Sequence, residues 1–335
     1  MPDDLPASPV RPSVSLTEPG KRHGFLTLPH SRNDSAWGSV MIPLCVVVGD
    51  APGPTALLTG ANHGDEYEGP IALQALAAEV RPDEVRGRLI IVPAMNFPAF
   101  RAGTRVSPID AVNLNRAFPG DPRGTVTQKI ADYFQRVLVP MADLVVDFHS
   151  GGKTLDFLPF ACAHVLEDAA QQAACLAAVQ AFNAPHTLML REIDAVGMYD
   201  SAVEAMGKVF VTTELGGGGT ATARSARIAR RGLRNVLVQA GILGGAVEMG
   251  PSVMLDMPDD ACYHMAPEAG LIEPMVDLGE AVQAGDLLAR IWPVDRTGVA
   301  PVEVRAQRDG LLAARHFPGL VQLGDCLAVL AVVRG

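Results

Sequence analysis

The stretch DLVVDFHSGG (143–152) reads as a buried strand that delivers a histidine to its carboxyl end. Leu144, Val145 and Val146 form a short apolar run, and Gly151 and Gly152 end it. Such a run fits a strand covered on both faces. Similar runs lie on either side: VMIPLCVVV (40–48), TALLTG (55–60) and RLIIVPAM (88–95) upstream, a short strand at 187–190 and KVFVTTEL (208–215) downstream. Helical spacing falls between them. It covers 68–80, then 125–140 with Ile130, Phe134, Val137 and Leu138 on one face, then about 169–182, 195–206 and 221–240. Strands alternating with helices predict an α/β domain with a mainly parallel or mixed sheet. Reactive side chains in such sheets gather beyond the carboxyl ends of strands. His63 follows the strand ending at Gly60, His149 ends another, and Glu214 ends a third.

Around Met249 and Gly250 the pattern changes to short apolar runs broken by Gly285-Asp286 and Gly324-Asp325. This predicts a smaller all-β domain over 249–335, after a flexible lead-in over 1–20 and a catalytic domain over 21–248. The turns resemble those of biotinyl/lipoyl-type barrel-sandwiches. No lysine lies beyond 248 to carry a prosthetic arm, so a structural or assembly role is expected.

The 335 residues are 48% hydrophobic and 19% charged, enough for a large core. The net charge of −10 argues against a nucleic-acid binder. No apolar run is long enough to span a bilayer, and the opening residues MPDDLPASPVRPS lack the apolar centre of a secretory signal. Cys45, Cys162, Cys175, Cys262 and Cys326 are odd in number and widely spaced, which predicts free thiols and a cytoplasmic setting.

GANHGDEYEG (60–69) places His63 and Glu66 at i, i+3 across a loop-to-helix junction, where both can face one metal ion. A catalytic zinc takes three protein ligands and keeps an open position. His149 is the best distant third ligand, while Asp65 and Glu68 stay open as alternatives on spacing alone. NLNRAFPGD (113–121) offers an amide and a guanidinium, suited to gripping a carboxylate. Other motifs fail. GGKT (151–154) lacks the first glycine of a phosphate loop. Gly216, Gly218 and Ala221 mimic a dinucleotide turn, but no acidic residue lies between Glu214 and Glu248. No G-x-S-x-G is present. The arginines at 224, 227, 230, 231 and 234 read as a solvated helix face.

HGDE (63–66), GTRVSPIDAVNLNRAFPGD (103–121), DFHSGG (147–152) and TELGGGG (213–219), in this order, resemble the succinylglutamate desuccinylase/aspartoacylase family. The resemblance covers roughly 40–245. It implies a zinc-carboxypeptidase-like mixed sheet flanked by helices and an amidohydrolase with one zinc ion per subunit. His63, Glu66 and His149 would be its ligands, Glu214 the general base and Arg105 the oxyanion stabiliser. Asn115 and Arg116 would clamp a substrate carboxylate. The implied partner is a small N-acyl amino acid, with a homo-oligomer also expected. Within the family the chain resembles the enzymes that deacetylate N-α-acetyl-2,4-diaminobutyrate in ectoine breakdown. Aspartoacylase, desuccinylase, zinc carboxypeptidase and non-catalytic binding activities are the alternatives. The family often carries Asp where this chain has Asn113, so that role needs another account. A diamino substrate also needs an acid for its second ammonium. REIDAVGMYD (191–200) offers Glu192, Asp194 and Asp200, of which Glu192 or Asp194 is the expected contact.

Overall fold

The computed structural model describes residues 5–190 and 196–334. Its centre is a mixed sheet flanked by helices. The strands Ala51–Gly60, Leu144–His149 and Val209–Glu214 lie parallel and adjacent. Arg86–Val92 runs parallel on the outer side of Ala51–Gly60, and the antiparallel pair Ser39–Val48 and Gly20–Pro29 follows. On the other side Phe160–His164 pairs antiparallel with Val209–Glu214 and parallel with His186–Leu190.

Alternation along the central strands separates two cores. Val146 and Phe148 face one core with Leu58, Ile91 and Val211, beneath helices Glu68–Glu79, Ala169–Phe182 and Ala223–Gln239. Val145 faces the other with Leu57, Ile90 and Phe210, where Ile130, Phe134 and Leu138 pack. These last three come from the predicted amphipathic stretch. It begins as the helix Val126–Tyr133 and continues through a wider π-type turn, Phe134–Leu138. Its start is fixed by reciprocal capping. Gln128 N–H donates to Thr125 Oγ1 at 3.4 Å, and Thr125 N–H donates to Gln128 Oε1 at 2.9 Å. Gly69 lets its helix lie close on the sheet, because a Cβ there would stand 2.2 Å from that of Phe148.

Three strands escaped the sequence pattern: Gly20–Pro29, Leu155–Phe157 and Phe160–His164. The expected lead-in is also tied down from Val10 onward. Val10 is buried beside Leu26 and Leu28, and Arg11–Pro12 pairs with Leu26 and Thr27. Its prolines hide this two-residue pairing from a search for strand periodicity. The arginine face of Ala223–Gln239 is largely solvated, with Arg224, Arg227, Arg230 and Arg234 exposed.

Beyond 250 the regular elements among the described residues are strands and one short 3₁₀ turn, Asp260–Cys262. Val302–Arg305, Leu287–Trp292, Gly270–Pro274 and Leu320–Val321 form a small antiparallel sheet. Cys326–Val333 and Gly310–His316 face it across the interior. The two Gly-Asp turns are built alike. Gly285 and Gly324 adopt φ of +94° and +87°, and Asp286 and Asp325 accept the backbone N–H of Gln283 and Gln322. Hydrogen bonding runs on from the larger sheet. Val253–Asp256 joins His186–Leu190 to Cys326–Val333, and Leu155–Phe157 pairs with Ala314–His316.

This last pairing links the C-terminal strands to Leu155 and Phe157, which line the cavity described below. A chain ending at 248 would bare the edge of His186–Leu190 and release Leu155–Phe157. Displacing an active-site wall by about 1 Å costs on the order of 10²-fold in rate. We expect such a truncation to lose activity by about that factor and to aggregate. A thermal melt and kcat/KM on the same sample check this, and unchanged values for both would contradict it.

Candidate active site

Parallel pairing places Glu214 opposite His149 and Thr212 opposite Asp147. Residues 145, 147 and 149 share a strand face, so the apolar Val145 is followed there by Asp147 and His149. Thr59, opposite Asp147 on the other neighbouring strand, donates its hydroxyl to Asp147 Oδ1 at 2.7 Å. Asn62 donates to Asp147 Oδ2 at 3.1 Å. The acid is thus fixed, and its Oδ2 stands 2.8 Å from His149 Nε2.

The loop after Gly60 brings in the remaining groups. His63, Glu66 and His149 each offer one ligand atom, and these atoms lie within 4.8 Å of one another. Glu66 Oε1 is 2.8 Å from His63 Nδ1, and Oε2 is 3.1 Å from His149 Nδ1. The ring nitrogens facing inward are therefore the two Nδ1 atoms. Each Nε2 faces an acceptor: Asp147 for His149, and Asn113 Oδ1 at 3.2 Å for His63. An N–H committed outward fixes the tautomer and leaves the other nitrogen's lone pair for a metal. Asn113 answers the question raised by its family position, because an amide oxygen can accept this proton as a carboxylate would. Asp65 and Glu68, open on spacing alone, face elsewhere. Asp65 Oδ2 accepts the backbone N–H of Lys153, and Glu68 Oε1 accepts the hydroxyl of Ser225.

Two imidazole nitrogens and a carboxylate oxygen are the donor set of a catalytic zinc site, so these residues fit that metal. The local potential also favours a cation. Burial alone would lower the His149 pKa, but Asp147 and Glu66 hold it well above the usual histidine value. Burial, and then repulsion from Glu66, push Glu214 up to about 8. A divalent cation among the three ligands would offset that repulsion.

Arg105 is half exposed beside this cluster, with Nη1 3.4 Å from His63 Nδ1 and 3.9 Å from Glu66 Oε1. Its loop is held to the His63 loop where Gly64 N–H donates to Thr104 O. Asn115 Oδ1 accepts from Tyr199 N–H at 3.0 Å and from Asn62 at 3.3 Å. What Asn115 can still offer a ligand is its NH₂ group. Arg116 donates to Asn115 O at 2.9 Å. His63, Glu66, His149, Arg105, Asn115 and Arg116 line one cavity of about 230 Å³, together with Glu214, Leu155, Phe157, Phe160, Met198 and Asp200. Glu192 and Asp194 lie outside the described residues. Asp147, which orients His149, was missed at the level of sequence, and Asn113, which orients His63, was noted there only as a departure from the family pattern. The i, i+2 position of Asp147 on a strand was the available signal.

Residues 52–240 match the model of the succinylglutamate desuccinylase/aspartoacylase catalytic domain. The chain belongs to that family. It is similar to the N-alpha-acetyl-L-2,4-diaminobutyric acid deacetylase of Halomonas elongata, with 55% identity over 97% of this chain and 96% of the relative. It also resembles the product-bound ectoine utilization protein EutE (DoeB) of Ruegeria pomeroyi. There the identity is 65% and the TM-score 0.96, covering 98% of this chain and 99% of that one. A succinylglutamate desuccinylase/aspartoacylase from Rhodobacter sphaeroides is 40% identical, with a TM-score of 0.93 over 98% and 100% of the two chains. This member of the family is a hydrolytic deacylase. Among the described residues no helix is long and apolar enough to cross a membrane, and the five cysteines are free thiols.

Proposed function

We propose that this deacylase removes the acetyl group from N-α-acetyl-L-2,4-diaminobutyrate, in ectoine breakdown in the cytoplasm, with one zinc ion held by His63, Glu66 and His149. The observation that carries the reading is the convergence of a His-Glu-His cluster, Glu214 and two arginines on one small cavity. The relative of 55% identity, named for that activity, supports the substrate.

A zinc ion in this site supplies Lewis acidity toward water and the acyl carbonyl. Glu214 takes a proton from the attacking water and passes it to the departing nitrogen. Arg105 stabilises the negative charge that forms on the former carbonyl oxygen. Asn115 and Arg116 grip the α-carboxylate and so set which nitrogen faces the site. The cavity, about 230 Å³, is below the roughly 300–1,000 Å³ of pockets for drug-sized ligands. That favours a small acyl amino acid over a peptide.

Arg105→Ala should lower kcat by about 10²–10³-fold, the usual loss on removing an oxyanion donor. Arg116→Ala should mainly raise KM, because its contact is equal in the ground and transition states. Steady-state kinetics separate the two, and the opposite split would exchange their roles. The substrate reading is tested by comparing kcat/KM for the acetylated diamino acid, N-acetylaspartate and N-succinylglutamate. A higher value for either diacid would overturn it.

A further inference from the structure

Three carboxylates line the catalytic cavity among the described residues: Glu66, Glu214 and Asp200. The first two have their parts in the reaction proposed above, and Asp200 has none. It is 8% exposed, on the short helix Tyr199–Glu204. Its Oδ1 accepts the backbone N–H of Ser201 at 2.5 Å and the Ser201 hydroxyl at 3.1 Å, which fixes the carboxylate plane. Its Oδ2 lies 3.9 Å from His164 Nε2, too far for a direct hydrogen bond.

His164 ends the strand Phe160–His164 and lines the same cavity. Its Nδ1 lies 2.9 and 3.0 Å from the two oxygens of Glu204, one helical turn beyond Asp200. All three side chains are buried. A buried carboxylate that faces a cavity, as Asp200 does, is expensive unless a cation or a hydrogen-bond donor meets it. Glu214 Oε2, on the same cavity, has no hydrogen-bond partner among the described residues. The walls of the same cavity include Phe160, Leu190 and Met198, which suit a short methylene chain.

We propose that Asp200 is the specificity-determining residue that takes the side-chain ammonium of the substrate, with Glu204 and His164 as the positioning residues behind it. This rests on the acetyl-diamino acid reading given above. Asp200 also supplies a repulsive element, because a second substrate carboxylate would face an anion there. The cavity then reads both ends of one small molecule: Asn115 and Arg116 the α-carboxylate, Asp200 the far amine.

The experiment compares kcat/KM for N-α-acetyl-2,4-diaminobutyrate and N-acetylnorvaline, in which a methyl group replaces the ammonium. In the full-length zinc-loaded wild type the ratio should be on the order of 10- to 100-fold, the usual worth of a hydrogen bond to a charged group. A wild-type ratio near one overturns the proposal without any variant. Asp200→Asn should bring the ratio close to one, and Asp200→Glu should keep most of it. Glu204→Gln should lower it by less. The readout is a ratio on one enzyme sample, so a general structural effect of a substitution cancels. If the wild type prefers the acetylated diamino acid and Asp200→Asn keeps that preference, this proposal alone fails. If the wild type instead turns over N-acetylaspartate or N-succinylglutamate faster, the deacetylase reading fails and takes this proposal with it.

Discussion

Glu214→Gln should keep its metal and lose about 10²–10⁴-fold in kcat, the range for general acid–base catalysis. Gln has nearly the same shape as Glu and an oxygen in the same place, but that oxygen is a poor proton acceptor. The side chain is placed by the sheet rather than by a loop, since Glu214 pairs in register with His149 at the ends of two parallel strands. Its Oε2 has no hydrogen-bond partner among the described residues, so the substitution breaks no structural bond at that atom. Zinc content by atomic absorption, a thermal melt and single-turnover kinetics together check the prediction. Turnover near the wild-type rate would remove Glu214 from the mechanism.

Chelation should abolish hydrolysis, and added zinc should restore it without refolding. Two ligands come from the loop that precedes the helix Glu68–Glu79 and the third from a buried central strand, so the folded chain keeps them close. Asp147 and Asn113 hold the two rings from behind. Partners of this kind are typically worth 10–100-fold in metal affinity. The folded chain should therefore rebind metal quickly, with far-ultraviolet circular dichroism changing little through the cycle. A chelated, metal-depleted sample with full activity would sink the metal reading.

The central strands were legible in sequence because they are buried on both faces and so appear as unbroken apolar runs. That is true of Val145–Val146 and of Val209–Val211, and it is why His149 and Glu214 could be placed at strand ends. Phe160–His164 was not legible. Its alanines, cysteine and histidine carry no clear period, and only its partners on both sides define it as a strand. The acid behind the cavity shows a different limit. Asp200 was one of three candidates in REIDAVGMYD, and local sequence gave no reason to choose it. Its place in the fold is given by His164, thirty-six residues earlier, and by the turn made with Ser201. Asn113 was visible as a departure from the family, but its acceptor role depends on His63, which only the folded chain brings to it.

The pairing of Leu144–His149 with Val209–Glu214 also guards the chemistry against misfolding. A slip of one residue on either strand would turn every side chain to the opposite face. A slip of Leu144–His149 would take His149 out of the cavity and drive Asp147 into the apolar core of Leu58, Ile91 and Val211, and a slip of Val209–Glu214 would take Glu214 out and drive Thr212 the same way. A chain folded with its catalytic groups out of place would therefore have a broken interior as well. The cell's ordinary surveillance of exposed or ill-packed cores then doubles as proofreading of the active site, and molecules that pass the first should pass the second.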